Sequence, residues 1–236
     1  MSQRQEEVSK QLPNRLGGRL DGALHLLDRQ LLDGNGEMLG KADDIELTET
    51  AHGLTVTAIL TGPAALLDRL GGRLGATLTD RYRRLRVSEP HRDLPWRIDF
   101  AEVDRLDSAI HLKVPREAVL RRDRVEHRLG ELTGMDVVVT GGSEQGGVGS
   151  VLDARFSPGP NGRLVLVSLI VGRGRPGSLL GYDRRRAQGP WLVRKVVRRL
   201  HRYTVLADVA NAEIDWDRGE VRLDRRPTER PGHPFD

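Results

Sequence analysis

The amino-acid sequence repeats itself at an interval of about 109 residues, and this duplication constrains the fold more than any other feature. Three residues recur 109 positions later: Gly40 as Gly149, Asp44 as Asp153 and Gly53 as Gly162. One residue further along in register, the segment LTVTAIL from Leu54 corresponds to LVLVSLI from Leu164. Self-similarity at a fixed interval indicates two copies of one structural module.

The two copies also end alike. Ala101-Glu102-Val103 resembles Ala207-Asp208-Val209, and Ile110 and Leu112 resemble Val221 and Leu223. Because these similarities follow one another in the same order, we expect each half of the chain to fold as a rough copy of the other.

Short strands separated by turns are predicted within each copy. Asp33-Gly34-Asn35-Gly36 is typical of a hairpin turn, because Gly and Asn tolerate positive φ, and residues 157–162 predict a longer loop. Alternation predicts one inward face in each copy: Leu54, Val56, Ala58 and Leu60, and then Leu164, Leu166, Ser168 and Ile170. Several short strands in fewer than 100 residues favour a small barrel, which closes its own edges.

The repeated glycines and aspartates predict structural roles. A glycine in the middle of a strand is typical of a bulge or a tight bend, so Gly40 and Gly149 are expected where the sheet curls. Asp44 and Asp153 follow four residues later, and we expect them to accept backbone hydrogen bonds. A shared binding carboxylate is the alternative.

The repeated pattern resembles the PRC-barrel family. The first copy carries it as LLDGNGEMLGKADDIEL and closes between Trp96 and Leu112; the second carries it as VVTGGSEQGGVGSVLDARF and closes between Val205 and Leu223. That family includes the cytoplasmic domain of the photosynthetic reaction centre H subunit and the C-terminal domain of ribosome maturation factors of the RimM type. The resemblance implies a small barrel used for contacts with protein or with RNA and protein, without catalytic residues to carry over.

The expected fold class is therefore mainly β, with two tandem small PRC-type β-barrels and short accessory helices. The expected division of the chain is an N-terminal tail over residues 1–23, a first barrel over 24–115, a helical linker over 116–131, a second barrel over 132–226 and a C-terminal tail over 227–236. Pro115 suits the first position of the linker helix, and a second short helix is predicted from Pro63 to Leu70, before Gly71-Gly72.

A basic amphipathic helix is predicted over residues 190–203, with an apolar face and a cationic face. This face and the run before it supply the candidate contacts for an anionic partner: Arg184, Arg185, Arg186, Arg194, Lys195, Arg198, Arg199 and Arg202. The alternative is a helix packed on its barrel with a solvated charged face. The first copy has a shorter counterpart in Arg81, Arg83, Arg84 and Arg86.

Charge and composition narrow the function classes. Residues 1–115 carry 16 basic and 18 acidic groups, whereas residues 116–236 carry 22 and 16, so an anionic partner should prefer the second half. Disulfides, thiolate metal sites and cysteine nucleophiles are excluded because the chain has 0 cysteines. The polar N-terminus and the lack of a long apolar run predict a cytoplasmic protein.

Catalytic and cofactor motifs are not evident in the sequence. The glycine-rich run before Asp153 departs from the spacing of dinucleotide-binding loops, and residues 157–162 follow too soon for the helix that such loops require. The residues around Gly34 lack the glycine position of a calcium-binding loop, and the histidines lack metal-ligand spacing. No cofactor, metal or small-molecule substrate is expected.

The sequence therefore favours a non-enzymatic binding or adaptor protein. A protein partner is expected first, and RNA, the ribosome or an anionic membrane surface remain alternatives. The second function considered is a ribosome- or RNA-associated accessory factor that uses the basic second half.

Overall fold

The structure is a computed structural model that describes residues 18–70, 81, 94–141, 146–159, 162–172 and 204–228. It is mainly β, as the sequence predicts. The strands are β1 Leu20–Asp21, β2 Gln30–Leu32, β3 Met38–Lys41, β4 Asp44–Thr50, β5 Gly53–Thr61, β6 Trp96–Asp99, β7 Val103–Leu106, β8 Ala109–Leu112, β9 Arg121–Arg122, β10 His127–Arg128, β11 Asp136–Val139, β12 Gly146–Pro158, β13 Leu164–Gly172, β14 Val205–Asp208, β15 Ala212–Asp215 and β16 Glu220–Leu223. The helices are α1 Gly22–His25, α2 Pro63–Leu70, α3 Arg116–Val119 and α4 Leu129–Leu132, with 3₁₀ turns at Phe100–Glu102 and Val209–Asn211.

The chain forms two compact units that do not follow the sequence order strictly. The first contains Met1–Leu20, His25–Arg128 and Ser157–Val165. The second contains Asp21–Leu24, Leu129–Phe156 and Leu166–Asp236. The short segment Asp21–Leu24 therefore belongs to the second unit, although it precedes the first repeat in sequence.

In the first unit, β4 and β5 form a long antiparallel hairpin. β10 pairs with β4, β6 pairs with β5, and β9 pairs with β6. A smaller sheet has the order β3-β2-β8-β7, in which β2 and β8 run parallel. β6 and β7 are joined by the 3₁₀ turn Phe100–Glu102.

In the second unit, the strands follow the order β14-β13-β12-β11-β16-β15, and β1 also pairs with β12. β11 and β16 run parallel, as β2 and β8 do. The terminal strands of this order, β14 and β15, are consecutive in the chain and are joined by the 3₁₀ turn Val209–Asn211. The pairings β11–β12, β11–β16, β15–β16 and β13–β14 of this unit therefore correspond to β2–β3, β2–β8, β7–β8 and β5–β6 of the first. The long strand β12 corresponds to β3 and β4 together.

The two 3₁₀ turns show the correspondence at atomic detail. The Asp99 carboxylate accepts the N–H of Ala101, and the Asp208 carboxylate accepts the N–H of Ala210. The structure therefore matches Ala101 with Ala210, and the sequence match of Ala101 with Ala207 is wrong by three positions. The match of Ile110 with Val221 is confirmed, since Ile110 pairs with Leu31 and Val221 pairs with Val137.

Gly40 and Gly149 lie at equivalent β-bulges, which confirms the predicted role of these glycines. Leu31 and Leu32 pair with Gly40 and Met38, so Leu39 is the extra residue in β3. Val137 and Val138 pair with Gly149 and Gly147, so Val148 is the extra residue in β12. Both glycines have φ of 152°, a conformation that other residues rarely adopt.

The residues predicted to face inward are all buried in the first copy and only half of them in the second, but Thr55, Ile59 and Thr61 of β5 are buried as well, so β5 does not alternate as predicted. Leu54, Val56, Ala58 and Leu60 are all buried. In β13, Leu164 and Leu166 are buried as predicted, but Leu169 and Val171 are buried in place of Ser168 and Ile170. In the first copy, Glu46 pairs with Ala58 and Leu47 with Val56, which leaves Thr57 as a bulge in β5. One extra residue moves the following side chains to the other face.

The linker prediction is wrong for most of its length. Pro115 caps α3, which ends at Val119, and the residues that follow form β9 and β10 before α4 begins at Leu129. β9 and β10 pair with strands that are distant in sequence, so tertiary pairing overrides the local helical pattern. The second predicted helix, from Pro63 to Leu70, is confirmed as α2.

The described strands do not close into barrels by hydrogen bonding. The first unit has two separate strand orders, and in the second unit β14 and β15 meet only through their 3₁₀ turn. The interior of each unit is mainly aliphatic. Its fully buried side chains include Leu31, Ile45, Leu47, Val56, Ile59 and Ile98 in the first unit, and Val137, Val151, Phe156, Leu169 and Val221 in the second.

Candidate functional site

The basic residues predicted from the sequence lie outside the described residues. These are Arg184, Arg185, Arg186, Arg194, Lys195, Arg198, Arg199 and Arg202. Of the counterpart in the first copy, Arg81 is described and exposed, and Arg83, Arg84 and Arg86 lie outside as well.

A different cationic surface lies at β9 of the first unit, and sequence analysis missed it. The Arg122 guanidinium lies over the Trp96 ring, 4.3 Å from its centroid. The same guanidinium donates from Nη1 to the carbonyl of Leu94 at 3.0 Å. Stacking on an aromatic face and a hydrogen bond together hold a cation in one orientation. The doublet Arg121-Arg122 was the available signal, but it fell in the predicted linker helix.

Two further arginines extend this surface. Arg121 and Arg124 are both exposed. Arg121 is the strand partner of Arg97, whose guanidinium is already engaged by Glu46, with Nη2 2.7 Å and Nε 2.8 Å from Oε2. We call Trp96, Arg121, Arg122 and Arg124 the β9 surface. Exposed guanidinium groups bind carboxylates and phosphates through paired hydrogen bonds, so this surface suits an anionic partner.

The described end of the glycine-rich run, residues 146–149, forms part of a strand, so the helix that a dinucleotide loop would need does not follow it. Gly147 and Gly149 lie in β12. A shallow depression lies over the paired strands β11 and β12, lined by Asp136, Val137, Val138, Gly147, Val148, Gly149, Ser150 and Glu220. The depression exists because Gly147 and Gly149 have no side chains to fill it, and Asp136 and Glu220 make its rim acidic.

Charged side chains cluster on the β15–β16 hairpin. Arg222 lies between Asp215 and Glu220, with Nη2–Oδ2 2.9 Å and Nε–Oε1 3.0 Å. Hydrogen bonds to Glu220 and Asp215 raise the pKa of Arg222, and a backbone hydrogen bond from Arg218 lowers the pKa of Asp215. The ion pair between Arg222 of β16 and Asp215 of β15 joins the two strands of this hairpin.

The equivalent β7–β8 hairpin carries Arg105, Asp107 and His111. His111 Nε2 lies 3.1 Å from Asp107 Oδ1, and Arg105 Nε lies 3.3 Å from Asp107 Oδ2. Desolvation opposes ionisation of Asp107, but hydrogen bonds from the Ala109 N–H and from His111 outweigh it and lower the pKa. Within the part of the chain that the structure describes, no group of three His, Cys, Asp or Glu side chains could hold a metal ion.

Asp153 accepts backbone hydrogen bonds, which confirms its predicted structural role. Its Oδ1 accepts the N–H groups of Ala23 at 2.8 Å and Ala154 at 2.7 Å, and its Oδ2 accepts that of Leu24 at 3.3 Å. Burial raises the pKa of Asp153 to about 7 despite these bonds, and the charge of Asp21 adds to the shift. At the equivalent position, Asp44 accepts the N–H of Ile45 at 2.8 Å.

No helix among the described residues is long and apolar enough to cross a membrane. A comparison of the chain with protein-family models finds no match, and a comparison with curated proteins finds none either.

Proposed function

We propose that this protein is a non-enzymatic cytoplasmic adaptor, built from two modules of the PRC-barrel type, that binds an acidic protein partner through the β9 surface. The observation that carries the proposal is the exposure of Arg121 and Arg124 beside an arginine fixed on Trp96.

The shared architecture supports the tandem-module part of the proposal. Both units contain a parallel strand pair, β2–β8 and β11–β16, and a bulge with a glycine at φ of 152°. In each unit, a 3₁₀ turn capped by an aspartate joins two strands, β6 to β7 in the first and β14 to β15 in the second. A repeated connection of this kind is expected of two copies of one small module.

The local charge balance supports an anionic partner. Arg97 is neutralised by Glu46, and the exposed charges that remain at residues 121–124 are Arg121 and Arg124 against the single carboxylate of Asp123, so the balance is positive. The fixed guanidinium of Arg122 loses little side-chain freedom when it binds, because stacking already orders it. Arginine and tryptophan are also the residues that dominate protein interfaces energetically.

The test is affinity capture with the full chain as bait, from a lysate of the organism that encodes it. Arg121→Glu combined with Arg124→Glu reverses the exposed charge. We expect at least a tenfold loss of the captured partner, since an acidic partner would be repelled; this factor corresponds to about 1.4 kcal/mol. Arg163→Glu combined with Arg225→Glu is the matched control, since both arginines are exposed and the change in net charge is the same.

Equal capture by the β9 variant and the control would contradict the proposal. The RNA-associated alternative becomes an outcome of the same experiment. Loss of all captured material after nuclease treatment, with a steep decrease as salt rises, would replace the protein partner with a nucleic acid.

A further inference from the structure

Two very short strands hold corresponding places in the repeat. β1 directly precedes α1, and β10 directly precedes α4. β1 stands before the first repeat in sequence but pairs with β12 of the second unit. β10 stands before the second repeat but pairs with β4 of the first unit. Each unit is therefore completed by the strand that precedes the other repeat.

The second residue of each strand carries a charge, and the two charges are opposite. In the second unit, Asp21 accepts two hydrogen bonds from Arg155, with Nε–Oδ1 2.6 Å and Nη2–Oδ2 3.1 Å. The exposed fractions of these side chains are 13% for Arg155 and 6% for Asp21, so the pair is shielded from solvent. In the first unit, Arg128 is the strand partner of Glu46.

The residues that these two charges face, Glu46 and Arg155, lie at equivalent positions of the repeat and are also opposite in charge. Glu46 lies two residues after Asp44, and Arg155 lies two residues after Asp153. If each short strand paired with its own repeat, Asp21 would oppose Glu46 and Arg128 would oppose Arg155. Like charges on directly opposed strand residues are destabilising, and the effect grows where solvent is excluded.

Neighbouring residues do not make the same distinction. The next residues of β4 and β12, Leu47 and Phe156, are both apolar and fully buried, so they suit either short strand. Glu46 is also held by Arg97, with Nη2 2.7 Å from Oε2, and an aspartate beside it would compete for that guanidinium.

We propose that these four charges decide which unit each short strand completes: Asp21 and Arg155 direct β1 to the second unit, and Arg128 and Glu46 direct β10 to the first. The repulsion in the alternative arrangement is the discriminating element, as in other systems where similar partners must be kept apart.

Disulfide formation can report where β10 is paired, because the chain has 0 cysteines of its own. His127 and Leu47 are strand partners, so His127→Cys and Leu47→Cys place two thiols at the separation a disulfide requires. We expect this reporter chain to form the disulfide readily under mild oxidation, and the unfolded chain to form it slowly.

The discriminating variant adds Asp21→Arg and Arg128→Asp to the reporter. These changes exchange the charges of β1 and β10 and leave Glu46 and Arg155 unchanged. We expect disulfide formation to slow by a factor of about ten or more, which corresponds to about 1.4 kcal/mol of lost preference. A matched control with Asp21→Asn and Arg128→Gln removes both attractions without adding repulsion, and it should lie between the two.

An exchanged-charge variant that folds and forms the disulfide at the reporter's rate would overturn the proposal, even if its melting temperature is lower. The four charges would then have only local effects within each unit. If the exchanged-charge variant does not fold by circular dichroism, the neutral control decides: a rate equal to the reporter's overturns the proposal, and a slower rate supports it.

Discussion

At the residue scale, the repeated glycines set the geometry of both units. Gly40 and Gly149 have the same φ of 152° at bulges that place one extra residue in the strand. Only glycine adopts this conformation without strain, because a Cβ would clash with the backbone. The duplication therefore preserves a backbone requirement as well as a hydrophobic pattern.

Gly149→Ala should lower the free energy of unfolding by about 1–3 kcal/mol, the usual cost of forcing a side chain into such a conformation. Gly147→Ala is the matched control two residues away in the same strand. Gly147 does not have positive φ, and a Cβ there would meet nothing within 4 Å. Its change should stay within about 0.5 kcal/mol. Urea denaturation measures both, and equal losses would show that the bulge conformation is not needed.

A second residue-scale prediction concerns Asp153, whose pKa is raised by burial to about 7 from 3.8. Between these values the folded state binds more protons than the unfolded state, so this group's contribution to stability falls as pH rises. Relative to Asp153→Asn, the wild-type free energy of unfolding should decrease between pH 4 and pH 7, by at most about 1.4 kcal/mol per pH unit.

The measurement is denaturant unfolding of both proteins across this pH range. The difference between their free energies of unfolding cancels the contributions of the other titrating groups, since Asn has a similar shape to Asp and cannot ionise. A difference that stays constant with pH would mean that the Asp153 carboxyl titrates at its ordinary value.

At the element scale, the β2–β3 turn is the part that local sequence predicts best. Asp33 Oδ1 accepts the N–H groups of Asn35 and Glu37, both at 2.9 Å, which is typical of an aspartate that begins a turn. Its Oδ2 also accepts the N–H of Arg116 at 3.2 Å, a contact across 83 residues that no turn pattern reveals. One carboxylate therefore connects the turn with the start of α3.

Asp33→Ala should lower the melting temperature by a few degrees, because three backbone donors lose their acceptor. The hydrogen bond from Glu37 is the main cause of the lowered pKa of Asp33. A lowered pKa gives a stabilisation that is present above the ordinary value of 3.8 and is lost as pH falls through the folded-state value. The difference in melting temperature between the two proteins should therefore shrink in acid.

Calorimetry at pH 7 and near pH 3 checks both parts of this prediction. Asp104→Ala is a suitable control, since Asp104 is exposed on β7. If the Asp33→Ala protein had the same melting temperature as the wild type at pH 7, water would replace the carboxylate as hydrogen-bond acceptor without loss of stability.

At the scale of the whole molecule, most strand pairings of one unit recur in the other, but the short strands β1 and β10 are exchanged between the two repeats. Each unit takes one short strand from the sequence before the other repeat. The domain boundaries expected from the sequence, with residue 24 as the start of the first barrel, assume that sequence order and unit membership coincide. The membership of Asp21–Leu24 in the second unit shows that they need not.

Much of the fold could be predicted because its signals are local. The bulge glycines, the turn at Asp33 and the helix at Pro63 each depend on the φ preferences of a few adjacent residues. The candidate site could not be predicted in the same way. Arg122 and Trp96 meet because β9 pairs with β6, and a doublet of arginines in sequence does not specify its strand partner.

The sequence by itself determined the duplication, the β character, the turn positions and the aliphatic interior, since these follow from residue conformations and from which side chains avoid water. Only the tertiary structure decided the bulge at Thr57, the division of the linker into strands, and the unit that β1 and β10 each complete. These features depend on pairing between residues far apart in the chain, and a backbone hydrogen bond has the same donor and acceptor whichever strand supplies it.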